Sequence, residues 1–374
     1  MAAPGCAAAD RELLRLTRLY LKAETDIINE IGRLRSRGLA DYHAEAALER
    51  VQAILRKLDE DRGRYIPRMV EMQFYVKRPE ARKPLDGPEP AAKHLAGYRN
   101  AAALTGEQMD MVQRLVTDLT GRLLEADLTA YATLSTALLG RASPDMFRQM
   151  GLEQAALLEA AGRSTFRQVP GFVEALRRDG VTGFIDKAGR RWSLHTYASM
   201  ALRTTSRQAE ILSVLTQDDG WDLFKISSHG TTCKLCAPFE GRVYSKSGRD
   251  PDFPPLSAAF GKRDPAGPDT LDNSWLSIHP NCLHQLVRWT PMGRSEEELR
   301  KIKAFSSFEK NPPTRDPRSQ KQIEAYREKE QGRARWLNDY RQWERYRVTL
   351  GSDVPRTFEA FLKHKRAGDE KYKG

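Results

Sequence analysis

Three of the chain's four cysteines fall in two short runs with the spacing of metal ligands: Cys233-Lys-Leu-Cys236, then His279-Pro-Asn-Cys282-Leu-His284. Two residues between ligands let both side chains turn back onto one ion from a tight turn, and tetrahedral zinc needs that geometry twice. The expected ligands are Cys233, Cys236, His279 and Cys282, with His229 and His284 as spare donors. Four protein ligands leave no open position, so such a zinc would hold the fold together rather than catalyse. The same residues also permit buried thiols with His279 capping a turn, or a Cys233–Cys236 disulfide, although nothing marks the chain as exported. The fourth cysteine, Cys6, lies in an alanine-rich N-terminal stretch.

Enzymatic constellations find less support. A zinc deaminase needs H-x-E and P-C-x-x-C, but Cys233 follows Thr232, and His43-Ala-Glu45 stands far upstream. A metal-dependent nuclease of the HNH type also combines cysteine pairs with histidines. It needs oxygen ligands with open water positions, for which Asp269, Asp272 and Asn273 are the nearest candidates, and a second cysteine pair is missing. Arg203-Thr-Thr is a fragment of an ADP-ribosyltransferase pattern. The pairs Glu296/Glu298 and Glu328/Glu330 fall in charged helical runs and read as solvated faces. The expectation is therefore a protein without catalytic residues.

The elements that must position the cysteines read as short strands. Asp222 to Ser228, Arg242 to Ser245 and Gln285 to Trp289 are strand-like, and Val181 to Trp192 resembles a hairpin turning at Asp186 to Gly189. Between the ligand pairs runs an insert of roughly 40 residues rich in glycine and proline, which is loop chemistry that needs fastening at its base. Ser193 caps a helix carrying Tyr197, Met200, Ala201, Ile211 and Leu215.

Upstream the period is helical. Leu13, Leu16, Tyr20, Ala23, Ile27, Ile31 and Leu34 form one stripe up to Gly38, and Leu48, Val51, Leu55 and Leu58 form a second. A short connection between them predicts an antiparallel pair. Prolines from Pro79 to Pro90 forbid a regular helix, and helix resumes near Gly106 with Val112, Leu115, Leu119 and Leu123. Ser143-Pro-Asp reads as a helix start, and Gly171 to Asp179 as a short helix stopping at Gly180. Ser295-Glu-Glu-Glu reads as a helix N-terminus, the chain from Ser295 to Gly374 carries 20 lysines and arginines against 14 acids, and Gln320 to Leu350 reads as one long helix with Tyr326, Trp336, Tyr340, Trp343 and Tyr346.

Composition bounds the class. The chain has 374 residues, 40% hydrophobic and 30% charged, with a net charge of +11. That permits contact with nucleic acid or another acidic surface. No signal peptide is legible, and no apolar run reaches the roughly 18 residues of a membrane helix. The fold class expected is mostly helical α+β: an elongated N-terminal helical hairpin (1–78), a linker (79–105), a helical region (106–180), a small α+β domain with the Cys/His cluster (181–294) and a basic helical tail (295–374).

The stretch from Phe184 to Arg294 resembles the MuF-type phage minor capsid, or head morphogenesis, proteins. The matching runs are Asp186-Lys-Ala-Gly-Arg-Arg-Trp-Ser, Tyr197-Ala-Ser-Met-Ala-Leu-Arg203-Thr-Thr, Ile226-Ser-Ser-His229, Cys233-Lys-Leu-Cys236-Ala-Pro-Phe-Glu-Gly241-Arg-Val-Tyr-Ser and His279-Pro-Asn-Cys282-Leu-His284, followed by Ser295-Glu-Glu-Glu-Leu. The long insert, and Leu283 where members often carry arginine, depart from the pattern. The resemblance implies a virion protein made in the host cytoplasm and placed inside the phage head near the portal. It would stand in several copies around that ring with other capsid components, acting in head assembly or DNA packaging and delivery. The basic tail could meet packaged DNA without reading sequence.

Overall fold

The structure, a computed structural model, describes residues 4–37, 41–76, 78, 91–139, 166–167, 183–186, 190–217 and 220–368. The helix end at Gly38, the proline-rich run 79–90, the helix start at Ser143, the helix 171–179 with its stop at Gly180, and the turn residues 187–189 lie outside the described residues. The described residues form eight α-helices and two three-stranded antiparallel sheets, a mostly helical α+β fold. The helices are α1 (Pro4–Arg37), α2 (Asp41–Tyr75), α3 (Ala91–Ala101), α4 (Gly106–Leu139), α5 (Leu194–Leu215), α6 (Glu296–Ser306), α7 (Gln320–Leu350) and α8 (Phe358–Arg366). The strands are β1 (Phe166–Arg167), β2 (Phe184–Asp186), β3 (Arg191–Trp192), β4 (Leu223–Ile226), β5 (Val243–Ser245) and β6 (Leu286–Arg288). No helix among the described residues is long and apolar enough to cross a membrane.

The chain divides into two compact units, each drawn from three separate stretches. One comprises Met1–Leu13, Pro67–Val116 and Leu202–Gln331; the other comprises Leu14–Ile66, Thr117–Ala201 and Gly332–Gly374. We call them the sheet unit and the helical unit, after the features that dominate each.

In the helical unit the stripes do what their period requires. Leu16, Tyr20, Ala23, Ile27, Ile31 and Leu34 of α1 are buried, as are Leu48, Val51, Leu55 and Leu58 of α2 and Leu119 and Leu123 of α4. Arg62 is buried among them. Its Nη1 donates to Tyr20 Oη at 3.0 Å and to Asp127 Oδ2 at 2.5 Å, and its Nε to Asp59 Oδ1 at 3.1 Å. Those bonds satisfy a charge that would otherwise be costly to bury. The aromatic rings of α7 pack within this unit. Tyr340 and Trp343 are buried, Phe358 of α8 lies against Trp336, Tyr340 and Trp343, and Tyr340 Oη donates to Glu24 Oε2 of α1 at 3.3 Å. Strands β1, β2 and β3 pair in that order. Asp186 closes the base of the β2–β3 hairpin, accepting from Arg190 N–H at 2.9 Å, Arg190 Nε at 2.7 Å and Trp192 Nε1 at 3.0 Å.

In the sheet unit, α3 falls within the stretch assigned from sequence to a linker. It is fastened by a two-pronged ion pair from Arg99 to Glu71, 2.6 Å on each prong, and by Leu95 and Tyr98 packing on Met72, Tyr75 and Val76. The second sheet has the order β5-β4-β6. Ile211, Val214 and Leu215 of α5 cover Phe224, Ile226, Tyr244 and Leu286. The glycine- and proline-rich insert joins this core through Leu256, Ala259, Phe260 and Leu276. Asn273 ties the insert's own backbone together, accepting from Asp264 N–H at 3.0 Å and donating to the carbonyls of Asp264 at 3.0 Å and Pro268 at 2.9 Å.

Candidate metal centre

Strand β4 is central, and both neighbours run antiparallel to it, with Ile226 opposite Leu286. The end of β4 and the start of β6 therefore lie at the same end of the sheet. Cys233 and Cys236 follow the first, and His279 and Cys282 precede the second, so pairing the strands brings the two runs together. A backbone bond from Ser227 N–H to Gln285 O (2.9 Å), and one from Gln285 N–H to the Ser227 side-chain Oγ (2.9 Å), extend the ladder toward the cysteines.

Each run is a tight turn. Cys236 N–H and Ala237 N–H both donate to Cys233 O, at 3.2 and 3.0 Å, and a 3-10 turn over Ala237–Phe239 follows. In the second run Cys282 N–H donates to His279 O at 3.1 Å. Asn281 sits there at φ 65°, a left-handed conformation that asparagine tolerates better than most residues, and its N–H donates to Thr204 Oγ1 of α5 at 3.1 Å.

The turns bring five donor atoms together. Cys233, Cys236 and His279 form one group, and Cys236, Cys282 and His284 a second, with the donors of each group within 4.8 Å of one another. Cys233 Sγ is 3.2 Å from His279 Nε2, Cys236 Sγ is 3.8 Å from Cys282 Sγ, and Cys282 Sγ is 3.2 Å from His284 Nδ1. The four sequence-predicted ligands are spread over these two groups, which share Cys236, and His284 completes the second. His229 belongs to neither group; its ring lies 4.6 Å from that of His284. Asp269 pairs instead with Lys262 at 2.7 Å, and no carboxylate enters either group among the described residues.

Electrostatics at the cluster follow from proton sharing. The hydrogen bond with Cys236 draws the Cys233 thiol down to about 3 and that of Cys282 to about 4, against burial, and the neighbouring histidines add to both shifts. Cys236 is pushed up in exchange. Contact with Cys233 raises His279. Burial opposes the charge on His284, but Cys282 and Glu240 push it up to about 9. Glu240 was not singled out in the sequence. It lies 2.5 Å from His284 Nε2 and also accepts from His229 N–H at 3.0 Å. It comes four residues after Cys236, beyond the 3-10 turn, and no ligand spacing flags it.

The donor set fits zinc. Two thiolates at about 2.3 Å from a tetrahedral zinc stand about 3.8 Å apart, which is the Cys236–Cys282 separation. The Nδ1 of His279 lies 2.6 Å from Pro280 O. A proton held there on Nδ1 leaves Nε2, the nitrogen facing Cys233, with a lone pair to offer. Cys236 and Cys282 are buried, and a buried thiolate calls for a compensating cation. Cys282, His284 and Glu240 also follow the order of a nucleophile, base and orienting acid, with Cys282 buried.

Comparison with known proteins places these features in context. A family model described as phage minor capsid protein 2 matches residues 10–330. A structural protein of Lactococcus phage LL-H is 30% identical over 111 residues, which cover 28% of this chain and 28% of that protein. No solved structure matches the chain.

Proposed function

The chain belongs to the phage minor capsid protein 2 family, and on that premise we propose that it is a structural head protein associated with the portal. The observation that carries this reading is the extent of the family match, which takes in α2 to α6, the second sheet and its Cys/His cluster. The likeness to a phage structural protein supports it. The protein is made in the host cytoplasm and placed inside the head, in several copies beside the portal, where it acts in head assembly or in packaging and delivery of the DNA. Its resemblance to MuF-type head proteins over Phe184 to Arg294 points to the same place.

One zinc held by Cys233, Cys236, Cys282 and His279 belongs to this reading. Bound, it would fasten the two turns at the open end of the β4–β6 pair, while the Glu240–His284 pair supports the Cys282 thiolate from outside. The basic region after Ser295 meets DNA through phosphate contacts that carry no sequence information.

The test is quantitative mass spectrometry of purified particles and of the portal complex isolated from them. The expected result is this chain at low copy number, enriched with the portal. Its absence from mature particles would overturn the reading, and metal-dependent DNA cleavage would be the next assay.

A further inference from the structure

The helical unit carries a second concentration of charge, away from the cysteines. Arg347 of α7 is buried but has no carboxylate partner among the described residues. Its Nε donates to Asn29 Oδ1 of α1 at 2.6 Å, and its Nη1 to the carbonyls of Gly351 and, at 3.3 Å, Val354. Nη2 has no protein partner among the described residues. The same Asn29 donates through Nδ2 to the backbone oxygen of Arg356 at 3.2 Å. Arg33 lies one helical turn beyond Asn29, beside Gly32, whose Cα packs against the Arg347 carbonyl. Asn29 thus joins the Arg347 guanidinium to the Arg356 backbone, with Arg33 one turn along the same helix.

Their charges are poorly balanced. Arg33 shares Glu30 with Arg50, and Arg356 has no acidic partner among the described residues. Burial, and then the like charges of Arg356 and Arg33, hold the Arg347 guanidinium below its ordinary range. Like charges held this close repel, and an anion placed among them would relieve that repulsion. Planar guanidinium forks match phosphate oxygens, and carbonyl and amide bonds already fix the orientation of the Arg347 fork.

We propose that Arg33, Arg347 and Arg356 form a phosphate-binding site for the backbone of nucleic acid. The inference rests on the reading that this protein contacts DNA, and it moves the principal contact from the basic region at large to one built site. Nucleic acid is favoured over an acidic protein segment because the same unit exposes further cations at Arg345, Lys363 and Arg366. A repeating phosphate chain can use a dispersed set of this kind.

The test uses the full chain and a short duplex of mixed sequence, with binding followed by fluorescence anisotropy across a range of salt. Arg33→Ala with Arg356→Ala should weaken binding several-fold and flatten the slope of log K against log salt by about 1.8, or about 0.9 for each phosphate no longer neutralised. Lys246→Ala with Arg249→Ala, exposed cations of the sheet unit, serves as the surface control and should do less. Unchanged melting of both variants would show that the fold is intact. Wild-type binding that neither pair alters differently would overturn this site while leaving DNA contact standing. Failure of the wild-type chain to bind the duplex would overturn both. Arginine-dependent binding of polyglutamate without duplex binding would overturn nucleic acid in favour of an acidic protein partner.

Discussion

A cysteine that ligates a metal contributes more than a buried thiol of equal volume, because losing it leaves the remaining thiolates facing one another. Cys236 and Cys282, 3.8 Å apart, are such a pair. Replacing Cys233 by serine should therefore lower the melting temperature by several degrees and lower the zinc content from about one per chain. Cys6→Ser should leave both unchanged. Structural zinc binding is worth about 10 kcal/mol or more to folding in small sites, so equal melting curves for the two variants would count against zinc. The histidine assignment is checked in the same assay: His279→Ala should lose the metal, whereas His284→Ala should weaken it less. The spacing that brings these cysteines and histidines together was legible in the sequence because each pair is local. Glu240 was not, because it reaches His284 only after β4 and β6 pair.

At the scale of elements, α1 and α7 pack at Gly32. A Cβ there would stand 2.7 Å from the Arg347 carbonyl oxygen, which is backbone and cannot rotate away. Alanine in an exposed helix position stabilises by about 1 kcal/mol over glycine, whereas overpacking at a close approach costs about 1–3 kcal/mol. Gly32→Ala should thus destabilise the protein despite its better helix propensity, and a chemical-denaturation midpoint at or above that of wild type would contradict this packing. Apolar stripes made α1, α2 and α4 readable, and Ser295 with Glu298 marked the start of α6 through a capping box present in the structure. Helix α3 escaped notice because it directly follows a proline-rich run and buries few apolar residues, chiefly Leu95 and Tyr98. Helix α8 is only nine residues long, too short for its period to stand out.

For the whole molecule, each unit draws on three stretches of sequence, and no reading along the chain assembles them. The proposed zinc ligands all lie in the sheet unit, while the Arg62 network lies in the helical unit. Removing zinc with a chelator should therefore raise amide hydrogen exchange across β4, β5 and β6 and leave Tyr20 to Leu58 protected, as expected where stability is distributed in local cooperative blocks. Uniform deprotection of both regions would place the metal's influence well beyond its own unit.

The bond from Tyr340 to Glu24 spans 316 residues. A ribosome therefore exposes the early part of α1 long before the helix that packs on it exists. The domain-by-domain folding of a growing chain cannot complete the helical unit in the order of synthesis. Until α7 emerges, buried Glu24 and the apolar surface around it lack their final cover, so the nascent chain passes through a stage at which chaperones have a surface to hold.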